Sequence, residues 1–579
     1  MDQFPPPKRR PVKKRRRFWG GLLSLFIFAS TAGMLTLYWV VVFYPNSERI
    51  EPDFGGLQKP IFYRGTLLET EGSGSKDSLK LPISFLKDKV DPNIYYEEAT
   101  DSIILTTKDR VIRMKTDQLT AVVNEQPITL QFPAVKQGAE IYLPVDPVKQ
   151  LYGLEIRESD ETGAVIVHLQ GETVQWGKAA EAEEAVLMRT EPTIKAPIVA
   201  DLSPGEQVMI WSDTDEWYRV QRQNGTMGYA KKKEIRLDRV ETVPLSAEPP
   251  PFVPWKPLGG KINMTWEHVV TRNPDPSKIG PMPGLNVISP TWFSIIDGEG
   301  NLKNLADASY VKWAHSRGYQ VWALFSNGFD ADVTTAALAT YDKRMKMIRQ
   351  LLAYAQMYQL DGINIDFEYV YLKDKDRLTQ FVREMTPMFH EQGLVVSIDV
   401  TFKSTSEMWS MFYDRKALAE VVDYMMVMAY DEHPAASPVS GSVSSLPWVE
   451  KGIVRILQED QVPPSKLVLG IPYYTRIWTE QTVNGKKEVS SRAVFMETAQ
   501  KQLSERGVKP QYDPATGQNY AEYTEGGKRI RVWLEDETSL AARLEIVKKY
   551  DLAGIASWRR GYETPNIWEF IENHMNKRP

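Results

Sequence analysis

Eight residues constrain this chain more than any others. Asp361-Gly362-Ile363-Asn364-Ile365-Asp366-Phe367-Glu368 lies between two helix-patterned segments, 342–358 and 376–391. Side chains alternate along a strand, so Ile363, Ile365 and Phe367 face one way and Asn364, Asp366 and Glu368 the other. Helical patterns on both sides demand a buried parallel strand, and such strands are usually apolar on both faces. Three inward polar groups in succession are costly unless they do chemistry. A surface strand with its polar side in water would avoid that cost, but it does not fit the flanking helices.

The same strand–helix alternation runs through residues 258–579. It predicts strands at 262–266, 286–290, 320–325, 362–368, 395–401, 424–429, 467–472 and 554–558. Helices are predicted at 302–316, 334–358, 376–391, 416–421, 446–457 and 539–550. Eight such units in about 320 residues fit a (β/α)8 TIM barrel, with its site at the strand C-terminal ends. The 80 residues between the last two strands are too many for one helix and a loop. They predict a small β-rich insertion at 475–533, with Asn484-Gly485 as a hairpin turn.

Asp-Gly-x-x-x-Asp-x-Glu at the end of a fourth barrel strand resembles the signature of glycoside hydrolase family 18. Three further stretches resemble that family's later strands: Tyr424–Asp431 with its Met-x-Tyr-Asp ending, Gly470-Ile471-Pro472-Tyr473-Tyr474, and Gly554-Ile555-Ala556-Ser557-Trp558. Asn364, the loop Tyr430-Asp431-Glu432-His433 and the stretch Trp533-Leu534-Glu535-Asp536 look most like the bacterial branch of spore-cortex-lytic N-acetylglucosaminidases. The resemblance implies a chitinase- or N-acetylglucosaminidase-type hydrolase in which the substrate's own 2-acetamido oxygen is the nucleophile. It implies Glu368 as general acid and then base, Asp366 as partner of the acetamide, and Tyr430 as donor to the acetamide carbonyl. Asp361, Asn364, Asp431, Tyr473 and Trp558 would bind substrate, Trp558 as the floor under the sugar. Asp366, about 6–7 Å from Glu368 by strand spacing, should raise the pKa of that acid. One departure stands out: many members carry Asp where this chain has Asn364, which holds no charge and shares no proton.

Other chemistries find no support in the sequence. There is no Cys, no Gly-x-Ser-x-Gly and no phosphate-binding Gly-rich loop before a Lys, and the six His are scattered without ligand spacing. No cofactor and no metal are expected. The expected partner is an N-acetylglucosamine polysaccharide: chitin, peptidoglycan or spore cortex. The alternatives are a non-catalytic glycan-binding barrel or a wall or sporulation scaffold.

Residues 1–17 carry eight Lys/Arg and one acid, a charge of +7, against −5 for the whole chain, so the remainder is acidic at −12. An acidic body argues against nucleic-acid binding. Residues 18–44 are uncharged and mostly apolar, long enough to span a bilayer and longer than a signal-peptide core. The cations before them predict a single-pass anchor in the cytoplasmic membrane, with the bulk of the chain outside.

Between anchor and barrel the sequence predicts a stalk at 45–80, with Gly72-Ser73-Gly74-Ser75 as a flexible stretch. A small α+β module at 81–172 follows. Its segment 119–154 resembles the N-terminal domain of copper amine oxidases but brings no copper site, because His168 is its only His. A β unit at 184–238 resembles a bacterial SH3 domain, a resemblance that implies contact with cell-wall peptides. Six Pro within 244–257 make 239–257 a semi-rigid linker.

Overall fold

The structure, a computed structural model, describes residues 16–181, 183–245, 252–257 and 260–575. Most of the basic tail, the Pro-rich stretch 246–251 and the C-terminal residues 576–579 lie outside the described residues. Among those described, one helix is long and apolar enough to cross a membrane, the Leu23–Phe43 part of helix Arg16–Phe43. Its Phe26 and Phe28 are more than two-thirds exposed.

The chain divides into two compact units, one made of 1–92 with 134–247 and the other of 93–133 with 248–579. The first unit corrects the expectation of a stalk. Residues 46–50 run along the β unit: the Ile198 amide donates to Glu48 O (2.8 Å) and the Ile50 amide to Ile198 O (2.9 Å). Pro60–Tyr63 and Thr66–Glu71 are strands of a four-stranded sheet completed by Glu155–Glu158 and Val165–His168. Ile61 and Phe62 are buried there, so this stretch is drawn into a core by its apolar side chains. The expected flexible stretch is fastened as well, by main-chain bonds between Ser73 and Lys80. The SH3-like strands belong to a seven-stranded sheet that also recruits Thr173–Ala179.

The 81–172 module is likewise divided. Its middle, a five-stranded meander from Tyr95–Glu97 to Gln126–Thr129, belongs with the barrel. Ile104 and Val111 of the meander share one apolar cluster with the barrel helices. Beside them is a buried charge network. Arg344 donates twice to Glu384 (2.8 Å each) and once to Glu97 of the meander (3.1 Å), and the Glu97 carboxylate also accepts the Tyr341 amide. All three side chains are at most 4% exposed. Glu97 therefore serves the first turn of helix Tyr341–Tyr358 from outside the barrel sequence.

The barrel strands are β1 Ile262–Glu267, β2 Val287–Ile295, β3 Gln320–Ser326, β4 Gly362–Asp366, β5 Val395–Thr401, β6 Tyr424–Met428, β7 Leu467–Pro472 and β8 Gly554–Trp558. Each pairs in parallel with its neighbours, and β8 with β1 closes the ring. Two helices differ from expectation. Leu302–Asn304 is a short strand before helix Ala308–Ser316, and 334–358 is broken into Ala331–Ala337 and Tyr341–Tyr358. Asp307 and Asp330 cap the first two of these helices through their carboxylates.

The lower lumen is filled by aromatic rings. Trp322 stacks on Tyr424 with centroids 5.5 Å apart and meets Trp255 edge-on at 6.4 Å. Gly362 is required here, because a Cβ would sit 2.6 Å from Val395 O and 3.0 Å from the Trp322 ring. The last residues of the expected linker thus pack into the barrel: the Tyr424 hydroxyl donates to Trp255 O (2.9 Å) and Phe252 stacks on His390. The insertion is a five-stranded antiparallel sheet, Tyr474–Val483 to Lys528–Trp533, with a helix at Met496–Glu505 that the sequence reading did not include. Its first hairpin turns at Asn484-Gly485, both at positive φ.

Candidate active site

Trp322, Tyr424 and Trp255 fill the base of the barrel, and above them β4 aims Asn364 and then Asp366 inward, with Glu368 two residues past the end of β4. Asn364 is fully buried and Asp366 nearly so. The tip that carries Glu368 is clamped through its main chain. Asn327, just past β3, accepts the Glu368 amide (3.1 Å) and donates to the Glu368 carbonyl (2.7 Å), and the Tyr413 hydroxyl donates to Phe367 O (2.7 Å).

A fourth polar group, Asp399 on β5, was not among the expected site residues. Asn364 Nδ2 donates to Asp399 Oδ2 (2.7 Å), and Ser397 Oγ donates to Asn364 Oδ1 (2.7 Å). The signal was present in the sequence: Ser397, Asp399 and Thr401 alternate with Val396, Ile398 and Val400 as the polar residues of β4 do. Asn364 thus does what an Asp at that position could not do while ionised, because it donates a hydrogen bond to the deeper carboxyl.

The electrostatics favour protonated carboxyls. Burial, with the Asp399 charge second, holds Asp366 well above the carboxylate range, and burial also raises Asp399. Glu368 is pushed up to about 9 by burial, then by Asp366 and Asp431. Asp366 Oδ1 and Asp399 Oδ1 are buried and have no hydrogen-bond partner among the described residues. A buried carboxyl oxygen without a partner is expensive unless a ligand supplies one.

Tyr430 and Asp431 follow β6 into the same rim. Asp431 adopts positive φ, 61°, and its Oδ1 accepts the Tyr474 hydroxyl (2.7 Å) and Arg476 Nη2 (3.3 Å). The Tyr430 and Tyr474 rings meet edge-on at 6.3 Å. Trp558 ends β8 with its ring 6.0 Å from Trp266, in the lumen cluster that Tyr430 also borders.

Two expected substrate contacts are elsewhere. Asp361 immediately precedes β4 at the opposite end of the barrel, seven residues or about 20 Å of extended chain from Glu368. There its carboxylate accepts the Val321 amide (2.8 Å) and pairs with His315 (2.8 Å). Asp423 repeats the arrangement before β6, with the Val396 amide and His390. Tyr473 is fully buried in the layer between strands and helices, edge-on to Trp568. Alternation past β7 places Tyr474, not Tyr473, on the site side. In the Trp533–Asp536 stretch, Glu535 is a buried tie rather than a rim group. It pairs with Arg543, which donates to Ser444 O (2.5 Å), while Gln518 of the insertion donates to Glu535 (2.9 Å). Among the described residues no group of three or more His, Asp or Glu is arranged to hold a metal ion.

The family model for glycosyl hydrolases family 18 matches residues 294–563, that for the copper amine oxidase N-terminal domain 71–167, and that for the bacterial SH3 domain 184–236. The chain is 24% identical over 302 residues to the glycosylase YvbX of Bacillus subtilis (strain 168), covering 50% of this chain and 84% of that protein. It is 28% identical over 237 residues to the cortical fragment-lytic enzyme of the same organism, covering 40% of this chain and 54%, about half, of that enzyme. Among solved structures, the spore cortex-lytic enzyme SleL of Bacillus megaterium QM B1551 is 22% identical, with 58% of this chain and 77% of that chain covered and a TM-score of 0.47. By these family models the C-terminal barrel is a family 18 glycosyl hydrolase domain, preceded in the chain by a copper amine oxidase N-terminal-like domain and a bacterial SH3 domain.

Proposed function

We propose that this chain is a membrane-anchored glycosidase that cleaves β-linked N-acetylglucosamine glycans of the bacterial envelope by substrate-assisted, retaining hydrolysis. The observation that carries the reading is the pairing of a protonated Glu368 at the strand tip with a buried, unpartnered Asp366 oxygen one step deeper. The acetamido oxygen of the bound sugar attacks the anomeric carbon as the bond to the leaving oxygen breaks, and the Glu368 carboxyl delivers its proton to that oxygen. Asp366 accepts the acetamide N–H through its unpartnered oxygen and so orients the acetamido group for attack. Tyr430 donates to the acetamide carbonyl, with Asp431 beside it, and Trp558 gives the ring an apolar floor. Water then opens the oxazolinium, the Glu368 carboxylate takes its proton, and the starting state returns. A purely glycan-binding barrel would have no need of a proton donor at the strand tip.

Two features support the location. The Leu23–Phe43 helix exposes large apolar side chains that a bilayer would cover, and the cations before it favour a cytoplasmic N-terminus. The SH3 domain is suited to contact wall peptides on the outer side.

The pH profile tests the mechanism. Glu368 must carry its proton to donate it, so the alkaline limb of kcat on an N-acetylglucosamine oligosaccharide reports its ionisation. Asp431 is one of the charges that hold that proton on. Asp431→Asn should therefore move the alkaline limb to lower pH, by up to about one unit. An unmoved or upward-moved limb would mean that another group is the acid.

A further inference from the structure

Arg559 directly follows Trp558 at the tip of β8 and is partly buried. Its guanidinium donates to the Tyr562 hydroxyl (2.6 Å) and sits 4.0 Å from the Tyr562 ring centre, and that ring stacks on Phe495 at 4.1 Å. His268, past β1, has its ring 5.9 Å from the Trp558 ring. The Arg559 charge reaches that imidazole: burial first and Arg559 second lower its pKa. These groups form an aromatic-walled shoulder beside Trp558 that carries the Arg559 charge.

Arg559 has no acid partner among the described residues. No carboxylate of a described residue lies within ion-pair distance of it, whereas Arg560 next in sequence is gripped by Glu267, Arg344 by Glu97 and Glu384, Arg476 by Asp431 and Arg543 by Glu535. Arg415, which also lacks an acid partner, is instead bonded to the carbonyls of Thr401 and Ser410. A partly buried guanidinium with donors left over is well suited to bind a carboxylate in two-pronged fashion.

We propose that Arg559, with His268 beside it, recognises a carboxylate on a substituent of the sugar adjacent to the one on Trp558. The preferred substrate is then a mixed amino-sugar glycan bearing acidic substituents on alternate sugars, not a neutral homopolymer. This rests on the glycosidase reading above and narrows its substrate class. In such a polymer every plain N-acetylglucosamine has an acidic neighbour, so a sugar seated on Trp558 brings a carboxylate to the shoulder. The carboxylate has two sources, the ether-linked lactyl group of the neighbouring sugar or a short peptide attached to it.

The test measures kcat/KM of the full-length protein on glycan strands stripped of peptide, on peptide-bearing strands, and on both after their carboxyls are capped as methyl amides. The wild type should prefer uncapped over capped strands by about tenfold, a preference that shrinks as ionic strength rises. Arg559→Met, which keeps the packing on Tyr562, should bring the ratio close to one, and Arg559→Lys should keep part of it. A preference confined to stripped strands identifies the lactyl carboxylate, and one confined to peptide-bearing strands identifies the peptide. A wild type with no preference overturns the proposal. So does an Arg559→Met ratio equal to that of the wild type, which includes the case where a folding or packing defect lowers all rates together. Failure of the wild type to cleave any of the four strands would instead remove the glycosidase reading itself.

Discussion

Glu368→Gln should lower turnover of an N-acetylglucosamine oligosaccharide by about 10² or more while leaving glycan binding in place. The substitution keeps the shape of the side chain and the Asn327 clamp on its main chain. It removes only the proton that burial, Asp366 and Asp431 hold on the carboxyl. Single-turnover rates and equilibrium binding of the same oligosaccharide separate the two effects. Near-normal turnover would mean that the acid is elsewhere and that the barrel must be reread as a binding module or as an enzyme with a different donor.

The largest effect on stability is expected in the buried network that joins the meander to the barrel. Arg344→Met leaves Glu384 and Glu97 buried without their cation and should cost about 3–5 kcal/mol. Chemical denaturation should show an earlier unfolding of the barrel, and hydrogen exchange should show faster opening of 93–133. Glu97→Gln, which removes charge but keeps an acceptor for the Tyr341 amide, should cost less. An Arg344→Met protein as stable as the wild type would mean that the network adds nothing beyond apolar packing.

The two halves of the chain were unequally legible. In the barrel, strand alternation and helical periodicity located all eight strands, because a parallel strand buried on both sides leaves a strong apolar signature. The polar row of β4 was legible for the same reason. Tyr473 and Tyr474 show the limit of that reading. Both are aromatic, and only the register past β7 decides that Tyr473 packs against Trp568 while Tyr474 reaches Asp431. Asp361 belongs to the family-like motif by position but stands at the strand's beginning, so its conspicuous carboxylate fastens strands rather than meeting a ligand. Asp399 obeyed the very rule that found Asp366 and was missed because no motif drew attention to β5. The N-terminal half was harder. Its strands are short, and their partners lie far along the chain, as in the pairing of Pro60–Tyr63 with Val165–His168. Nothing local in residues 93–133 signals that they pack on barrel helices rather than on their own sequence neighbours.

The central claim is that the sugar supplies its own nucleophile within a site built from Asp366, Glu368 and Tyr430. It is tested most directly by following cleavage of two β-linked oligosaccharides that differ only at the 2-position, acetamido in one and hydroxyl in the other, while reading the anomer first formed by NMR. The account expects cleavage of the acetamido substrate alone, with the β-anomer appearing before mutarotation, because attack by the acetamido oxygen and then by water inverts the anomeric carbon twice. Comparable cleavage of the hydroxyl substrate, or an α-anomer as first product, would contradict it.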